Sequence, residues 1–280
     1  MSTLQLGLST CPNDTYLFHG LLTGRSDPHG LDFEFFLGDV EELNQRLAAG
    51  DFHLAKGSFA AALGLGAERV VMPTGAALGF GVGPLLLASA SAADASKEPR
   101  VLCPGAGTTA HLLYRLFHSG EGHISHAVFS EIMPALIAGD ADLGVCIHEG
   151  RFTYAEHGLR CIEDLGQRWE QETSLALPLG GLFARRDLDP SLLQRLQAAL
   201  FDSLAYAHAH RAETLESMSL HAQEFSVDVL FQHVDLYVNE WTRDLGAQGR
   251  VCLEELGRRA RSTGLIASDA AALEVWSPPS

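Results

Sequence analysis

One order of local signals occurs twice in this chain, and this repetition constrains the fold more than any other feature of the sequence. Residues 47–58 read L-A-A-G-D-F-H-L-A-K-G-S, and residues 136–149 read L-I-A-G-D-A-D-L-G-V-C-I-H-E. In both segments a helical apolar pattern ends at Gly-Asp, and a short apolar strand then runs into a polar loop. Two units of this kind predict two similar α/β lobes built on mostly parallel strands.

The length of the chain supports a division into two lobes, because 280 residues are too many for one small core. The small, polar run at residues 89–99 is the predicted first connection between the lobes, and residues 182–185 form the strand expected to return to the first lobe. We therefore expect a discontinuous first lobe of residues 1–89 and 183–280, and a second lobe of residues 90–182. The helical remainder from Pro190 onward is expected to pack on the first lobe.

Charge and targeting signals narrow the class of protein. A net charge of -16 argues against a general nucleic-acid binder and against a protein that binds an anionic membrane surface, because both need a basic face. The N-terminal residues lack the features of a secretory signal, and no stretch approaches 18 uninterrupted apolar residues. Five cysteines without a CxxC pair are typical of reduced thiols. We expect a cytoplasmic protein with no nucleic-acid or membrane partner, and a homodimer is left open.

Four polar loops follow predicted strands, at residues 9–15, 56–58, 105–110 and 148–151. Ligands of open α/β sheets bind beyond the carboxyl ends of the strands. Two lobes that face each other with these loops inward would therefore enclose a ligand cleft.

The first of these loops, S-T-C-P-N-D-T, leads into a helix. The N–H groups of a helix N-terminus favour a carboxylate or a phosphate. Asn13 and Asp14 are more simply interpreted as capping residues. Cys11 could act as a nucleophile, but a small residue packed in a turn is the favoured interpretation.

The third loop fits G-x-G-x-x-A from Gly105 to Ala110, and Glu131 follows the next strand. This spacing is compatible with a dinucleotide site. However, a glycine-rich loop before a helix binds any anion by the same physics, and the hydroxyls of Thr108 and Thr109 suit a carboxylate. The carboxylate is the favoured ligand.

His148 ends an apolar strand at the edge where ligands bind. A neutral imidazole is the usual proton-transfer group, whereas a lone histidine is often only a packed side chain with a backbone partner. Glu149 follows it directly, and we do not expect Glu149 to orient the ring. No metal site is predicted, because H-E-G-R-F lacks the second histidine of a zinc helix and His221 and His233 are isolated.

Three segments together carry a family resemblance. They are S-T-C-P-N-D-T-Y-L-F at residues 9–18, the glycine-rich run at residues 75–85, and I-H-E-G-R-F-T-Y at residues 147–154, and the likeness continues at residues 177–180 and 237–239. With these motifs the chain resembles the 1,4-dihydroxy-6-naphthoate synthase family of the futalosine route to menaquinone. The resemblance implies an α/β, two-lobed fold like that of type II periplasmic binding proteins, with a central cleft and C-terminal helices on the first lobe.

The resemblance also implies an activity and a set of residues. The family cleaves cyclic dehypoxanthinyl futalosine to 1,4-dihydroxy-6-naphthoate and dihydroxyacetone without a cofactor. By this likeness His148 is the general base, and the small-molecule carboxylate substrate is held by Lys56, Gly57, Ser58, Thr109 and Ala110, with Asn44 as a further candidate. Ser9, Asn13, Asp14, Thr108 and Arg151 complete the loops expected at the cleft. Gly57 and the glycine-rich run of residues 105–107 depart from the family's expected pattern, which leaves the geometry of both loops open.

Three alternatives remain at this point. The first is chorismate dehydratase of the same pathway, which shares the fold. The H-E-x-R-F-T-Y run argues against this alternative. A non-catalytic carboxylate-binding protein would be expected to carry an export signal. The third alternative is a nucleotide-dependent oxidoreductase, and its only support is the pattern of residues 105–110 with Glu131.

Overall fold

The computed structural model describes residues 3–89, 98–118, 122–148, 150–221 and 226–278. Its strands are β1 (Leu4–Ser9), β2 (Phe33–Gly38), β3 (Leu54–Ser58), β4 (Arg69–Val71), β5 (Ala77–Gly79), β6 (Leu85–Ser89), β7 (Arg100–Cys103), β8 (His123–His126), β9 (Leu143–Cys146), β10 (Leu159–Asp164) and β11 (Leu177–Arg185). Its helices are α1 (Pro12–Leu17), α2 (His19–Leu22), α3 (Val40–Ala49), α4 (Phe59–Ala62), α5 (Thr109–Phe117), α6 (Phe129–Ala138), α7 (Gly150–Thr153), α8 (Leu165–Thr173), α9 (Pro190–Ala209), α10 (Leu215–His221), α11 (Val227–Tyr237), α12 (Glu240–Arg243) and α13 (Gly246–Ser262).

The strands form two separate sheets, as the repeated order of signals predicts. The first has the order β2-β1-β3-β11-β4, with β5 paired to β11, and the second has the order β10-β6-β9-β7-β8. In the first sheet β1 is parallel to β2 and β3, and in the second β7 is parallel to β8 and β9. Strands β11 and β6 run antiparallel to their neighbours, so each sheet is mixed, whereas the sequence pattern predicts mostly parallel strands.

The limits of the second sheet differ from the expected lobe boundaries at 89/90 and 182/183. Strand β6 was expected in the first lobe, but Leu85 pairs with Cys146 of β9 in the second sheet. Strand β11 already begins at Leu177 in the first sheet, before the expected return. Sheet membership depends on pairing with strands distant in sequence, which a short apolar run does not reveal. We propose that the lobes divide where the chain changes sheet, ahead of β6 and ahead of β11.

The two Gly-Asp signals of the repeat have the same structural role. Gly50 ends α3 with a φ of 87°, and Gly139 ends α6 with a φ of 80°. Both conformations are left-handed, and glycine adopts them without the steric cost of a Cβ atom. Each glycine therefore stops a helix and directs the chain into a central strand, β3 or β9.

The C-terminal helices cover the first sheet, as the sequence predicts. Leu196 and Leu200 of α9 belong to one buried cluster with Leu6 of β1 and Leu54 of β3. A second cluster joins the two sheets, since it contains Phe183 of the first sheet together with side chains of the second. Full burial of one such side chain contributes about 1.5–3 kcal/mol. Across the described residues, no helix combines the length and apolarity needed to cross a bilayer.

Candidate active site

A cavity of about 670 Å³, part of it open to solvent, lies where the loops of the two sheets meet. It is lined by Ser9, Cys11, Asn13, Val40, Lys56, Gly57, Ser58, Ala77, Val82, Gly83, Pro84, Thr108, Thr109, Ala110, Ile147, His148, Leu179, Gly180, His233 and Tyr237. Four loops chosen from sequence order therefore contribute side chains to one cavity. Of the predicted residues, Asn44, Asp14 and Arg151 are not part of this lining.

Asp14 and Lys56 form a buried ion pair behind the cavity wall. Lys56 Nζ lies 2.6 Å from Asp14 Oδ1, and the side chains are 8% and 4% exposed. Ser9 Oγ donates to Asp14 Oδ2 at 2.6 Å, and Asn13 Nδ2 donates to Asp14 Oδ1 at 2.9 Å. A buried charge requires such partners, because water no longer solvates it. The network joins the first loop to strand β3.

The capping interpretation of Asn13 and Asp14 is wrong. Helix α1 begins at Pro12 with Cys11 as its N-cap residue, and no side chain caps it. Asn13 and Asp14 lie in the first turn of the helix, where the macrodipole favours a negative charge. Their side chains instead form a chain of hydrogen bonds, in which Asp14 pairs with Lys56 of β3 and Asn13 contacts Asp14.

Asn44 supports Ser58 from behind. Asn44 Oδ1 accepts a hydrogen bond from the backbone N–H of Ser58 at 2.8 Å, and Asn44 Nδ2 donates to Ser58 Oγ at 3.1 Å. Because the hydroxyl oxygen of Ser58 is an acceptor in this pair, its own hydrogen can be donated to a ligand in the cavity. Asn44 thus orients the hydroxyl that a carboxylate would meet.

The glycine-rich loop carries an anion of the protein itself. The backbone N–H of Gly107 donates to the Glu41 carboxylate, with distances of 3.2 Å to Oε1 and 3.1 Å to Oε2. Gly105 has a φ of 135°, and a Cβ atom there would lie 2.5 Å from Glu41 Oε2. Glu131, which the dinucleotide alternative invoked, lies exposed in the first turn of α6 and does not line the cavity. The structure therefore does not bring the two parts of that motif together.

Thr108 and Thr109 begin helix α5. Thr108 is the N-cap residue, and its Oγ1 accepts from the backbone N–H of His111 at 3.2 Å. Thr109 Oγ1 donates to the carbonyl of Leu179 at 2.6 Å, so this hydroxyl ties α5 to β11. The first N–H groups of a helix have no partner within the helix. Those of Thr109 and Ala110 therefore suit a carboxylate at the cavity wall.

His148 follows β9 in a left-handed conformation, with a φ of 57°. Strained backbone of this kind concentrates at functional sites. The ring packs edge-on against Phe129, with 4.7 Å between centroids. Burial lowers the pKa of His148 to about 4, and the nearby positive charge of Lys56 adds to this effect. The imidazole is therefore neutral at pH 7 and can accept a proton. Glu149 lies outside the described residues.

Cys11 contacts His148, although no sequence pattern pairs the two residues. Cys11 Sγ lies 3.3 Å from Nδ1 and 3.4 Å from Nε2. A sulfur nearly equidistant from both ring nitrogens is not in line with either lone pair, as a hydrogen bond would require. The thiol therefore packs on the ring, and this geometry supports the interpretation of Cys11 as a packed residue over that of a nucleophile.

Arg151 was expected in the cleft, and the structure places it elsewhere. Its Nη1 donates to the carbonyl of Gly83 at 2.6 Å, and its Nη2 pairs with Asp164 at 2.7 Å. Arg151 therefore holds the segment that enters β6. Sequence position next to His148 did not reveal this, since the chain turns into α7 between the two residues.

His233 is a cavity residue that sequence reasoning missed. It lies on α11, is 1% exposed, and its Nε2 is 3.0 Å from Asn13 Oδ1. An isolated histidine in an amphipathic helix has no local signal of function; only the nearby family-like run at residues 237–239 pointed to this region. Within the described part of the chain, no three His, Cys, Asp or Glu side chains gather as a metal site would require.

Comparison with solved structures places this architecture among the binding-protein-like folds. The periplasmic aliphatic sulphonate binding protein SsuA of Escherichia coli superposes with a TM-score of 0.67 at 15% identity, covering 100% of this chain and 93% of that one. A protein of Archaeoglobus fulgidus superposes with a TM-score of 0.89 at 28% identity, covering 94% of this chain and 98% of that one. The fold is thus that of a two-lobed, periplasmic-binding-protein-like protein.

Sequence comparison then defines the family. A family model described as menaquinone biosynthesis matches residues 4–262. The 1,4-dihydroxy-6-naphthoate synthase of Thermus thermophilus is 41% identical over 268 residues, covering 95% of this chain and 97% of that protein. The enzyme of the same name from Streptomyces coelicolor is 38% identical over 269 residues, covering 94% and 95%. The chain belongs to the menaquinone biosynthesis family.

Proposed function

We propose that this chain is a 1,4-dihydroxy-6-naphthoate synthase, a carbon–carbon lyase of menaquinone biosynthesis. Its substrate would be cyclic dehypoxanthinyl futalosine, and its products 1,4-dihydroxy-6-naphthoate and dihydroxyacetone. The observation that carries the proposal is the neutral His148 imidazole in a cavity that also presents donors for a carboxylate. The likeness to two enzymes of this name supports it.

The substrate carboxylate binds between the two sheets in this proposal. The Ser58 hydroxyl, oriented by Asn44, donates from one side. The N–H groups of Thr109 and Ala110 at the start of α5 donate from the other. Lys56 lines the same cavity and supplies a positive charge, although its ammonium is already paired with Asp14. This arrangement fixes one end of the substrate before chemistry begins.

His148 removes a carbon-bound proton from the held substrate. The electron pair left by that proton drives cleavage of a carbon–carbon bond and makes the remaining ring aromatic. The three-carbon fragment leaves with the electrons of the cleaved bond and takes up the proton from His148. Aromatisation supplies driving force, so positioning and one base suffice, and no cofactor is proposed. Closure of the lobes, to which the contact of Glu41 with Gly107 contributes, excludes water from the cavity.

The remaining expectations about the protein's surroundings are also proposals. The ligand is a small carboxylate, the compartment is the cytoplasm, and neither a nucleic acid nor a membrane is a partner. A homodimer is a prediction that light scattering of the purified protein tests directly.

The decisive experiment incubates the purified protein with cyclic dehypoxanthinyl futalosine beside a His148→Ala variant. Mass spectrometry follows the naphthoate product. We expect turnover by the wild type and a loss of about 10²–10⁴-fold in the variant, the usual contribution of a general base. Undiminished turnover in the variant would remove His148 from the mechanism but keep the function. A folded wild type that leaves this substrate intact and dehydrates chorismate would show the sister enzyme instead.

A further inference from the structure

His233 is a buried imidazole in the cavity wall to which the proposed reaction assigns no role. Its side chain is 1% exposed, and its Nδ1 has no hydrogen-bond partner among the described residues. A buried polar atom normally has a partner, so an atom without one calls for an explanation such as an absent ligand. The ring also stands beside that of His148, with 6.2 Å between centroids and 28° between planes.

The hydrogen-bond network behind the cavity fixes which nitrogen of His233 carries the hydrogen. Asp14 is a carboxylate in an ion pair with Lys56, so it offers only acceptors. Asn13 lies 2.9 Å from Asp14 Oδ1 and must therefore present its amide nitrogen to that oxygen. This leaves Asn13 Oδ1 facing His233 Nε2 at 3.0 Å. Because Oδ1 is an acceptor, Nε2 carries the hydrogen.

The other nitrogen, Nδ1, consequently presents an unprotonated lone pair. Burial lowers the pKa of His233 well below its ordinary value; a protonated His148 would lower it further, and the positive charge of Lys56 also lowers it. The ring is thus neutral at pH 7, and Nδ1 can only accept a hydrogen bond. Besides the donors that suit a carboxylate, the cavity wall therefore carries a buried acceptor near the proposed general base.

We propose that His233 Nδ1 accepts a hydrogen bond from a hydroxyl group of the bound substrate. This inference rests on the proposed function, in which the three-carbon product is a polyol fragment and the substrate therefore carries hydroxyls. His233 and His148 both line the cavity, with 6.2 Å between ring centroids, so in this proposal the hydroxyl lies near the carbon from which the proton is removed. The series Lys56, Asp14 and Asn13 serves to position the acceptor, since it sets the tautomer of the ring.

Two conservative variants separate the two nitrogens of His233. In His233→Asn the amide oxygen can occupy the place of Nδ1, so the acceptor is kept and the hydrogen bond to Asn13 is lost. In His233→Gln the amide nitrogen can occupy the place of Nε2, so that hydrogen bond is kept and the acceptor is lost. We expect kcat/KM of the Asn variant to stay within about fivefold of the wild type, and that of the Gln variant to fall roughly 10- to 100-fold.

A matched control tests whether a buried histidine is merely needed for folding. His19 is fully buried on α2, outside the cavity, and bonds to Ser217. The His19→Gln variant should lose thermal stability to a similar degree as His233→Gln but keep kcat/KM. Equal losses of kcat/KM in both His233 variants, or full activity in His233→Gln, would overturn the acceptor role.

NMR spectroscopy of protein with ¹⁵N-labelled histidine reports on the protonation of His233 Nδ1 without either His233 variant. In ¹⁵N spectra of the wild type we expect His233 Nδ1 to be unprotonated at pH 7, and in the His148→Ala variant its resonance should move when intact substrate binds. A protonated Nδ1, or a resonance that ignores the substrate, would refute the proposal. Wild-type protein that binds but does not cleave the substrate would contradict the proposed function alone, because the resonance still reports on the acceptor.

Discussion

The rings of His148 and His233 lie nearly parallel at the cavity, with 28° between their planes and 6.2 Å between their centroids. One follows a central strand of the second sheet and the other belongs to a C-terminal helix that packs on the first sheet. One buried and one half-buried imidazole beside the Lys56 ammonium cannot both be charged without mutual repulsion. The pair is therefore neutral at pH 7, and its proton state should govern how the protein responds to acid.

The first prediction concerns the acid limb of activity. Because the pKa of His148 is lowered to about 4, the ring stays an unprotonated base well below the ordinary histidine pKa of 6.5. We expect kcat/KM to remain nearly constant from pH 8 to about pH 5 and to fall as pH passes through about 4. Initial rates measured at each pH of this range give the apparent pKa. As a control for denaturation, enzyme that is briefly exposed to each pH and returned to pH 7 should recover its full activity. An apparent pKa near 6.5 would mean that the free site is more hydrated than the structure shows.

The second prediction concerns the buried ion pair of Asp14 and Lys56. Removing one partner leaves the other charge buried and unpaired, which costs about 3–5 kcal/mol. We expect Asp14→Asn and Lys56→Met each to lower the free energy of unfolding by that amount, measured by urea denaturation. The double variant should recover part of the loss, since neither charge then remains.

A surface pair serves as the matched control for this experiment. Arg46 and Asp51 lie 2.8 Å apart with side chains 34% and 41% exposed. Their interaction is screened by water, so Asp51→Asn should cost less than about 1 kcal/mol. Losses of similar size at Asp14 and Asp51 would contradict the burial of the first pair.

The third prediction concerns the contact of Glu41 with Gly107. This contact joins α3, beside the first sheet, to the loop after β7 of the second sheet, and we expect it to hold the two lobes together. Hydrogen bonds to a charged group contribute about 1.5–3 kcal/mol. We expect Glu41→Ala to raise KM and to increase the radius of gyration of the ligand-free protein in small-angle X-ray scattering. The neighbouring Glu42→Ala, on the exposed side of α3, should change neither. A lower KM in Glu41→Ala would instead mean that Glu41 competes with the substrate carboxylate.

Parts of this architecture were predictable because their signals are local. Gly50 and Gly139 end helices in the left-handed conformation, and that requirement is visible in the sequence as Gly-Asp before an apolar run. His148 could be proposed as a cavity residue because it terminates such a run. The carboxyl ends of neighbouring strands meet at one edge, so the four loops could be assigned to one cleft without coordinates.

Other parts depend on contacts between residues far apart in the chain. The hydrogen bond between His233 and Asn13 spans most of the sequence, and neither residue carries a pattern that identifies its partner. Asn13 itself resembles a helix cap in sequence, whereas the cap position belongs to Cys11. The sheet that β6 joins was not predictable for the same reason, since strand pairing is a property of the whole fold.

The fourth prediction concerns stability in acid, and its sign follows from the histidines that lose solvation on folding. The loss of solvation in the folded protein lowers the pKa of six histidines, of which His19 and His233 are fully buried: His19, His53, His111, His148, His208 and His233. Below pH 6.5 the unfolded chain protonates these side chains while the folded protein resists, so the unfolded state binds more protons and stability falls as pH drops.

As pH is lowered, the free energy of unfolding should begin to fall before the carboxylates start to be protonated. Glu255 illustrates this order. Its hydrogen bonds with Arg258 and Arg259 outweigh its partial burial and lower its pKa to about 2. The carboxylate is ionised in both the folded and the unfolded state above about pH 5, so it makes stability sensitive to acid only below that pH. We therefore expect the free energy of unfolding, from urea titrations at pH 7, 6 and 5, to decrease steadily. Replacing His19 by Gln should flatten the slope, because one group that protonates only on unfolding is removed. A free energy that is constant between pH 7 and 5 would show that these imidazoles are protonated in the folded protein, and it would also remove the basis for treating His148 as a neutral base.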